Sequence, residues 1–282
     1  MINKRLIARL DVKNDALVKG IHLEGLRVLG APKAFAEEYN KQGIDELFYM
    51  DVVASLYNRN SLHNLISATA KKISIPLTVG GGVRTSQDVK RLLDNGADKI
   101  VINTAAVKRP EIISELSSEF GSSTIAVSIE YSQLDNGSLG VFVDCGREQT
   151  ELTVRNWALE VERLGAGEII LTSVDNEGTG SGLDLILAED IAESVKIPVV
   201  VHGGAGEYKD IKKALSSKSI HAVCAASIFH YNMLENGDMK NNDVNVLGNK
   251  SFLKGGRTNK KINNISVFDC KNQLKIDKIK VR

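Results

Sequence analysis

Two glycine-rich turns in this chain are suited to holding anions. Gly80-Gly81-Gly82 follows the apolar run from Ile75 to Val79, and Gly203-Gly204 follows the run from Ile197 to His202. Where side chains are missing the backbone can approach an anion closely, and N–H groups at the start of the next helix add donors. Each turn is followed by a second strand end, Asn103-Thr104 in one case and Ala226-Ser227 in the other. A glycine pair alone is more often a plain turn. The repeated pairing favours phosphate, and two such sites suit a substrate with a phosphate at each end.

Acid–base groups stand at other strand ends. Asp11 closes the first β unit and Glu130 the fifth. Two carboxylates facing each other across a substrate divide acid and base work if their surroundings separate their pKa values. The plainer alternative is a pair of solvated strand-end carboxylates. Asp51 and the stretch Asp175 to Glu177 also end strands. Lys19, in the long loop 12–30, is either a mobile cation that folds over the substrate or a solvated lysine. His202 takes the place of Gly80 in the second turn and is expected to pack near the ligand. Cys145 has no base nearby in sequence, which argues against a nucleophile, and Trp157 reads as helix packing.

Arg5, Glu46, Lys99 and Glu168 begin the first, second, fourth and sixth β units. Four charges of alternating sign at one rim are either a stabilising network, worth little if it lies on the surface, or a gate to a narrow lumen.

The elements that must position these residues follow from the pattern. Short apolar runs span 6–11, 47–53, 76–80, 99–103, 124–130, 168–174, 198–202 and 221–226. Amphipathic stretches lie near 32–42, 61–72, 86–95, 110–120, 154–164, 183–195 and 209–215. Eight alternating units predict a parallel sheet with right-handed crossovers. The segment from Pro76 onward recurs from Pro198 onward, and 198 − 76 and 210 − 88 both give 122. That period is too long for a solenoid repeat. It favours an α/β protein of the closed (β/α)8 TIM-barrel class with a half-barrel internal repeat, whose active site lies at the C-terminal strand ends. Residues 131–150, with Asp135-Asn136-Gly137, read as an inserted hairpin. Residues 1–235 are expected to form the barrel, and 236–282 an Asn- and Lys-rich, loosely ordered tail with no more than a short strand pair.

Bulk properties exclude several classes. A formal net charge of +1 on 282 residues gives no argument for nucleic acid or a membrane surface. No apolar run approaches a membrane span, and the start lacks the long apolar region of a signal peptide. Three widely spaced cysteines, Cys145, Cys224 and Cys270, fit neither a disulfide framework nor a zinc site and suggest a reducing cytoplasm.

These residues together resemble the cyclase subunit family of imidazole glycerol phosphate synthase, a histidine-pathway barrel, over roughly residues 1–230. The likeness rests on Leu10-Asp11-Val12-Lys13, Val18-Lys19-Gly20, Gly43-Ile44-Asp45-Glu46-Leu47 and Val79-Gly80-Gly81-Gly82. It continues through Gly96-Ala97-Asp98-Lys99, Ile102-Asn103-Thr104-Ala105-Ala106, Gly165-Ala166-Gly167-Glu168-Ile169, Leu171-Thr172-Ser173, Gly203-Gly204-Ala205-Gly206 and Ala225-Ala226-Ser227.

The resemblance implies a partner glutaminase that supplies ammonia, docked with the help of Asp98. Ammonia would enter through the rim of Arg5, Glu46, Lys99 and Glu168 and meet a bis-phosphorylated ribulosyl aminoimidazole carboxamide ribotide. Asp11 and Glu130 would act as the catalytic pair. Lys19, Gly81, Gly82, Asn103, Thr104, Glu177, Gly178, Gly203, Gly204, Ala226 and Ser227 would bind the substrate. The products would be imidazole glycerol phosphate and aminoimidazole carboxamide ribotide, and neither metal nor organic cofactor is implied.

Four features depart from the family pattern. Glu130 stands where the family has Asp, and the added methylene moves the carboxyl by over ~1 Å, a displacement that can cost about 10²-fold in rate. Asp175-Asn176-Glu177-Gly178 replaces Asp-x-Asp-Gly. Arg9 is a large cation where the family is small and uncharged, and pointing inward it would alter the ammonia path. The tail also lacks the family's final helix. Such changes fit a non-cyclising paralogue that conducts ammonia to a sugar-amidating enzyme in surface-polysaccharide synthesis, which is the alternative reading. A phosphate-sugar isomerase on the same barrel ranks third, and a non-catalytic scaffold that activates a glutaminase fourth.

Overall fold

The computed structural model describes residues 4–54, 62–236 and 261–282. Among the described residues twelve strands run in chain order: β1 (Arg5–Lys13), β2 (Ala16–Ile21), β3 (Glu24–Gly30), β4 (Glu46–Asp51), β5 (Leu77–Gly80) and β6 (Lys99–Ile102). Then follow β7 (Ile125–Gln133), β8 (Leu139–Val143), β9 (Glu148–Thr153), β10 (Glu168–Ser173), β11 (Val199–His202) and β12 (Ala222–Ala225). Eight of them pair in parallel in the order β1-β4-β5-β6-β7-β10-β11-β12, and β12 pairs back onto β1. The sheet therefore closes into the expected (β/α)8 barrel, which has no open edge to protect.

The period of two along β1 explains how this strand serves two cores. Leu6, Ala8, Leu10 and Val12 face out and join the large apolar layer under the helices. Ile7 faces in and packs with Phe48, Met50, Val101, Ala126, Ile170, Val200, Ala222 and Cys224. Arg5, Arg9 and Asp11 share the parity of Ile7, so β1 carries three buried charged residues on its inward face.

The half-barrel repeat is visible in the hydrogen bonding. Thr85 and Asp88 form a reciprocal cap on the helix Ser86–Asp94, and Glu207 and Asp210 do the same on Tyr208–Ser216. Both caps sit just after a glycine turn and fix how the chain leaves it.

The chain differs from expectation in four places. The loop 12–30 is an antiparallel hairpin, β2 paired with both β1 and β3. The expected 131–150 hairpin is present as β8 paired with β7, and β9 extends it to three strands. Short helices Thr104–Lys108 and Ser227–Asn236 follow the two polar strand ends. The expected helix 61–72 runs His63–Ala70, with Ser61 outside the described residues.

The tail reading needs correction. Residues 237–260 lie outside the described residues, but Val267–Ile276 is a helix. Ser266 caps it by accepting from Asp269 N at 3.0 Å. Its narrow apolar stripe of Val267, Cys270 and Leu274, set in polar sequence, concealed it. Beyond this helix, Val281 forms a parallel bridge with Lys4, and Arg282 N donates to Lys4 O at 3.1 Å.

Candidate functional site

The two glycine turns open at the same end of the barrel, the C-terminal end of the strands. Gly81 has φ +105° and Gly203 φ +95°. A Cβ on Gly81 would stand 2.4 Å from Asp51 O, and one on Gly203 would stand 2.5 Å from Ser173 O. Both positions therefore need glycine for conformation and for space. The neighbouring strand end forces this in each half, since 173 − 51 and 203 − 81 both equal 122.

The first turn lines a cavity of about 190 Å³ with Asn103, Thr104, Glu130, Asp51 and Cys145. Lys108 and Asp144 line it as well, and the sequence reading missed both. Lys108 ends the unforeseen short helix, and Asp144 stands in the turn between β8 and β9. Thr104 Oγ1 donates to Asp144 Oδ1 at 3.3 Å, and Lys108 Nζ lies 3.6 Å from Asp144 Oδ2. The second turn lines a much tighter cleft with Glu177, Gly178, His202, Gly204, Ala226 and Ser227. Each half thus gathers its expected residues around one small concavity, a geometry able to hold two separated anions.

The hairpin β2–β3 lies over the second half. Lys19, 4 % exposed, makes a buried ion pair with Glu177 and donates to Gly20 O at 2.7 Å. His22 N donates to Glu177 O at 2.9 Å. Lys19 is accordingly neither solvated nor loose, and a contact spanning 158 residues gave no local sign of itself.

The two carboxylates have different surroundings. Asp11 Oδ1 accepts from Arg9 Nε at 2.7 Å, and both residues are buried. Glu130 Oε2 accepts from Gly146 N at 2.9 Å. Burial is the main influence on Glu130, and with the Asp11 charge it outweighs Arg9, Gly146 N–H and Asn103 to push this carboxyl up to about 7. Glu130 is thus poised to exchange protons near neutrality, as acid–base work needs, and Asp11 sits in an ion pair with Arg9.

His202 is neutral, because burial and then the charges of Arg9 and Lys19 hold its pKa well below the usual value. Arginine can only donate, so the 3.4 Å contact from Arg9 Nη1 makes His202 Nδ1 the acceptor. Cys145 Sγ donates to Val52 O at 3.2 Å, and burial pushes its pKa up to about 12, which does not suit a nucleophile. Trp157 is buried on the helix Val154–Arg163, as expected.

The four charged residues at the opposite rim close into one ring. Arg5 bridges Glu46 (2.7 Å) and Glu168, and Lys99 bridges Glu46 (3.2 Å) and Glu168 (2.6 Å). Thr78 Oγ1 donates to Glu46 Oε1 at 2.5 Å. Arg5, Glu46 and Glu168 are buried, so the low value of surface pairs does not apply to them. Burial opposes the charge of Glu46, but Lys99, Arg5 and Thr78 outweigh it and draw its pKa down. Asp98 is exposed beside the ring, and its Oδ2 accepts from Leu77 N at 2.8 Å. Among the described residues no cluster of His, Cys, Asp and Glu could hold a metal ion, and no helix is long and apolar enough to cross a membrane.

The profile of the family described as "Histidine biosynthesis protein" matches residues 5–235. "Imidazole glycerol phosphate synthase subunit HisF" of Legionella pneumophila is 51% identical over 210 residues, 74% of this chain and 99% of that protein. The protein of the same name from Alkaliphilus metalliredigens is 43% identical over 232 residues, covering 82% of this chain and 92% of its own. That of Sulfurisphaera tokodaii is 43% identical over 240 residues, or 85% and 95%.

Proposed function

The chain belongs to the histidine biosynthesis protein family, among the HisF subunits of imidazole glycerol phosphate synthase, and its function is that of the cyclase subunit; from this premise we propose how its residues perform it. The substrate is a bis-phosphorylated ribulosyl aminoimidazole carboxamide ribotide. One phosphate sits on Gly81, Gly82, Asn103 and Thr104. The other sits on Gly178, Gly203, Gly204, Ala226 and Ser227, with Glu177 and Lys19 beside it. The observation that carries this reading is the pair of matched glycine turns at the mouth that holds Asp11 and Glu130.

Ammonia is the nucleophile, in a lyase-type reaction. It forms the imidazole ring and releases imidazole glycerol phosphate and aminoimidazole carboxamide ribotide. Asp11 and Glu130 move the protons. A protonated Glu130 donates to a leaving oxygen, and an ionised carboxylate relieves the incoming ammonia of its proton. A partner glutaminase supplies the ammonia through the ring of Arg5, Glu46, Lys99 and Glu168, with Asp98 on the docking face. The word "subunit" in the names of the relatives and the closed ring at the far rim support this partner. Three free cysteines support a reducing cytoplasmic setting.

The test is ammonium-dependent turnover of the bis-phosphate substrate. Asp11→Asn is expected to abolish turnover while substrate binding stays within about threefold. Equal turnover in the variant would remove Asp11 from the mechanism. One observation favours the non-cyclising paralogue: Asp11 is already neutralised by Arg9. A wild-type chain that binds the glutaminase but forms no imidazole product would decide for it.

A further inference from the structure

Arg9 heads the largest fully buried side chains of the molecule and is only 1 % exposed. It lies on the inward face of β1, between Ile7 of the inner apolar layer and Asp11 at the mouth, with Arg5 of the ring below both. Its Nε donates to Asp11 Oδ1 at 2.7 Å, its Nη1 contacts His202 Nδ1 on β11 at 3.4 Å, and its Cζ lies 5.5 Å from the centre of the Phe48 ring on β4. The side chain thus touches strands on both sides of β1 and projects into the lumen.

We propose that Arg9 is a positioning residue with two linked effects: its guanidinium clamps Asp11, and it stoppers the tube between the charged ring and the mouth. The stopper half rests on the proposed passage of ammonia through the barrel, and the clamp half does not.

Size supports the stopper. Ammonia is about as large as water, and a side chain bordering a water-wide passage would present surface to it. Arg9 presents almost none, and Ile7, Phe48, Ala126, Ile170, Val200 and Ala222 around and below it are equally enclosed. Passage therefore requires a side chain to move, and Arg9 is the long unbranched one at this level.

The lumen also offers it a second seat. Ser128 Oγ and Thr172 Oγ1 are buried with no hydrogen-bond partner among the described residues. Ser128 shares the inward parity of Ala126 and Glu130 on β7, and Thr172 that of Ile170 on β10, across the tube from β1. Unpaired buried hydroxyls are uncommon, and these would accept from a guanidinium that swings off Asp11.

The titratable groups around the guanidinium are Asp11, Glu130, His202 and Cys224. The Asp11 carboxylate is the charge that holds Arg9 in place, so a change that removes this charge, as in Asp11→Asn, would free the guanidinium to swing off it.

Two measurements on the full chain decide the proposal. The first is hydrogen exchange at arginine Nε–H in 15N-resolved spectra. One signal, absent from Arg9→Ala, is expected to exchange at least about 100-fold more slowly than exposed arginines and to speed up in Asp11→Asn. Exchange as fast as an exposed arginine overturns the clamp. The second compares product formed from glutamine, in complex with the glutaminase, against product formed from added ammonium. Arg9→Ala is expected to raise the glutamine-to-ammonium ratio by about tenfold, a change that loss of packing alone would not produce. An unchanged ratio overturns the stopper. Arg9→Met keeps the stem and drops the fork, and replaces Arg9→Ala if that variant does not fold. Absence of product from either nitrogen source, in wild type and variant alike, would sink the proposed function, and the exchange measurement alone would then rule on Arg9.

Discussion

Glu130 is the residue whose ionisation the fold changes most usefully. Its carboxyl ionises near 4.5 in the unfolded chain and near 7 in the barrel. Between those values the folded state holds a proton that the unfolded state has lost. Stability from this group is therefore full below about pH 4.5 and declines as pH rises through about 7, by on the order of 3 kcal/mol in total. Glu130→Gln should flatten the pH dependence of the denaturation midpoint between pH 5 and 7, roughly the window the linkage argument defines. An unchanged slope would mean that the carboxyl ionises as it does in water. At this scale the sequence was readable wherever a residue's type implied its chemistry, as for Asp11, Glu130 and the glycines. Arg9 and Asp11 stand two apart on one strand, so their shared face follows from the pleat. Lys19 and Glu177 meet only through the folding of distant segments, and no spacing rule could pair them.

At the scale of elements, the glycine turns depend on both conformation and close approach. Gly81→Ala would force a Cβ against Asp51 O at a φ that L residues avoid. It should destabilise the protein by about 1–3 kcal/mol or more and weaken phosphate binding, read by denaturant titration and calorimetry with inorganic phosphate. A stable variant with intact binding would mean that the turn is not the anchor. The barrel strands and most helices were legible because period 2 and period 3.6 alternate cleanly along the chain. The β2–β3 hairpin was not. Its second turn places His22 and Leu23 at positive φ, residues that carry no turn signal, although Asn14-Asp15 in the first turn do. The helix Val267–Ile276 announced itself only through the Ser266–Asp269 cap, because its buried face is one residue wide.

Across the whole molecule, the ring at the far rim ties four strands together. Arg5 bonds both Glu46 and Glu168, so Arg5→Ala leaves two buried carboxylates short of a partner. A loss of about 3–5 kcal/mol is expected, measured by denaturant unfolding, together with a fall in glutamine-driven but not ammonium-driven turnover. Equal losses from both nitrogen sources would make the ring purely structural. The closed barrel and the symmetry of its halves were readable from the repeat of 122 residues, since one half predicts the other. The burial of the ring was not, because sequence shows which residues begin strands but not how tightly the strand ends converge. A last feature concerns how the protein can be tethered. Arg282 and Lys4 are joined by a backbone hydrogen bond where β1 begins. A linkage placed at Lys4 or Arg282 therefore emerges beside the charged ring, the proposed entrance for ammonia. A chain immobilised there would keep its glycine-turn mouth turned outward while its own anchor competed for space with the proposed glutaminase.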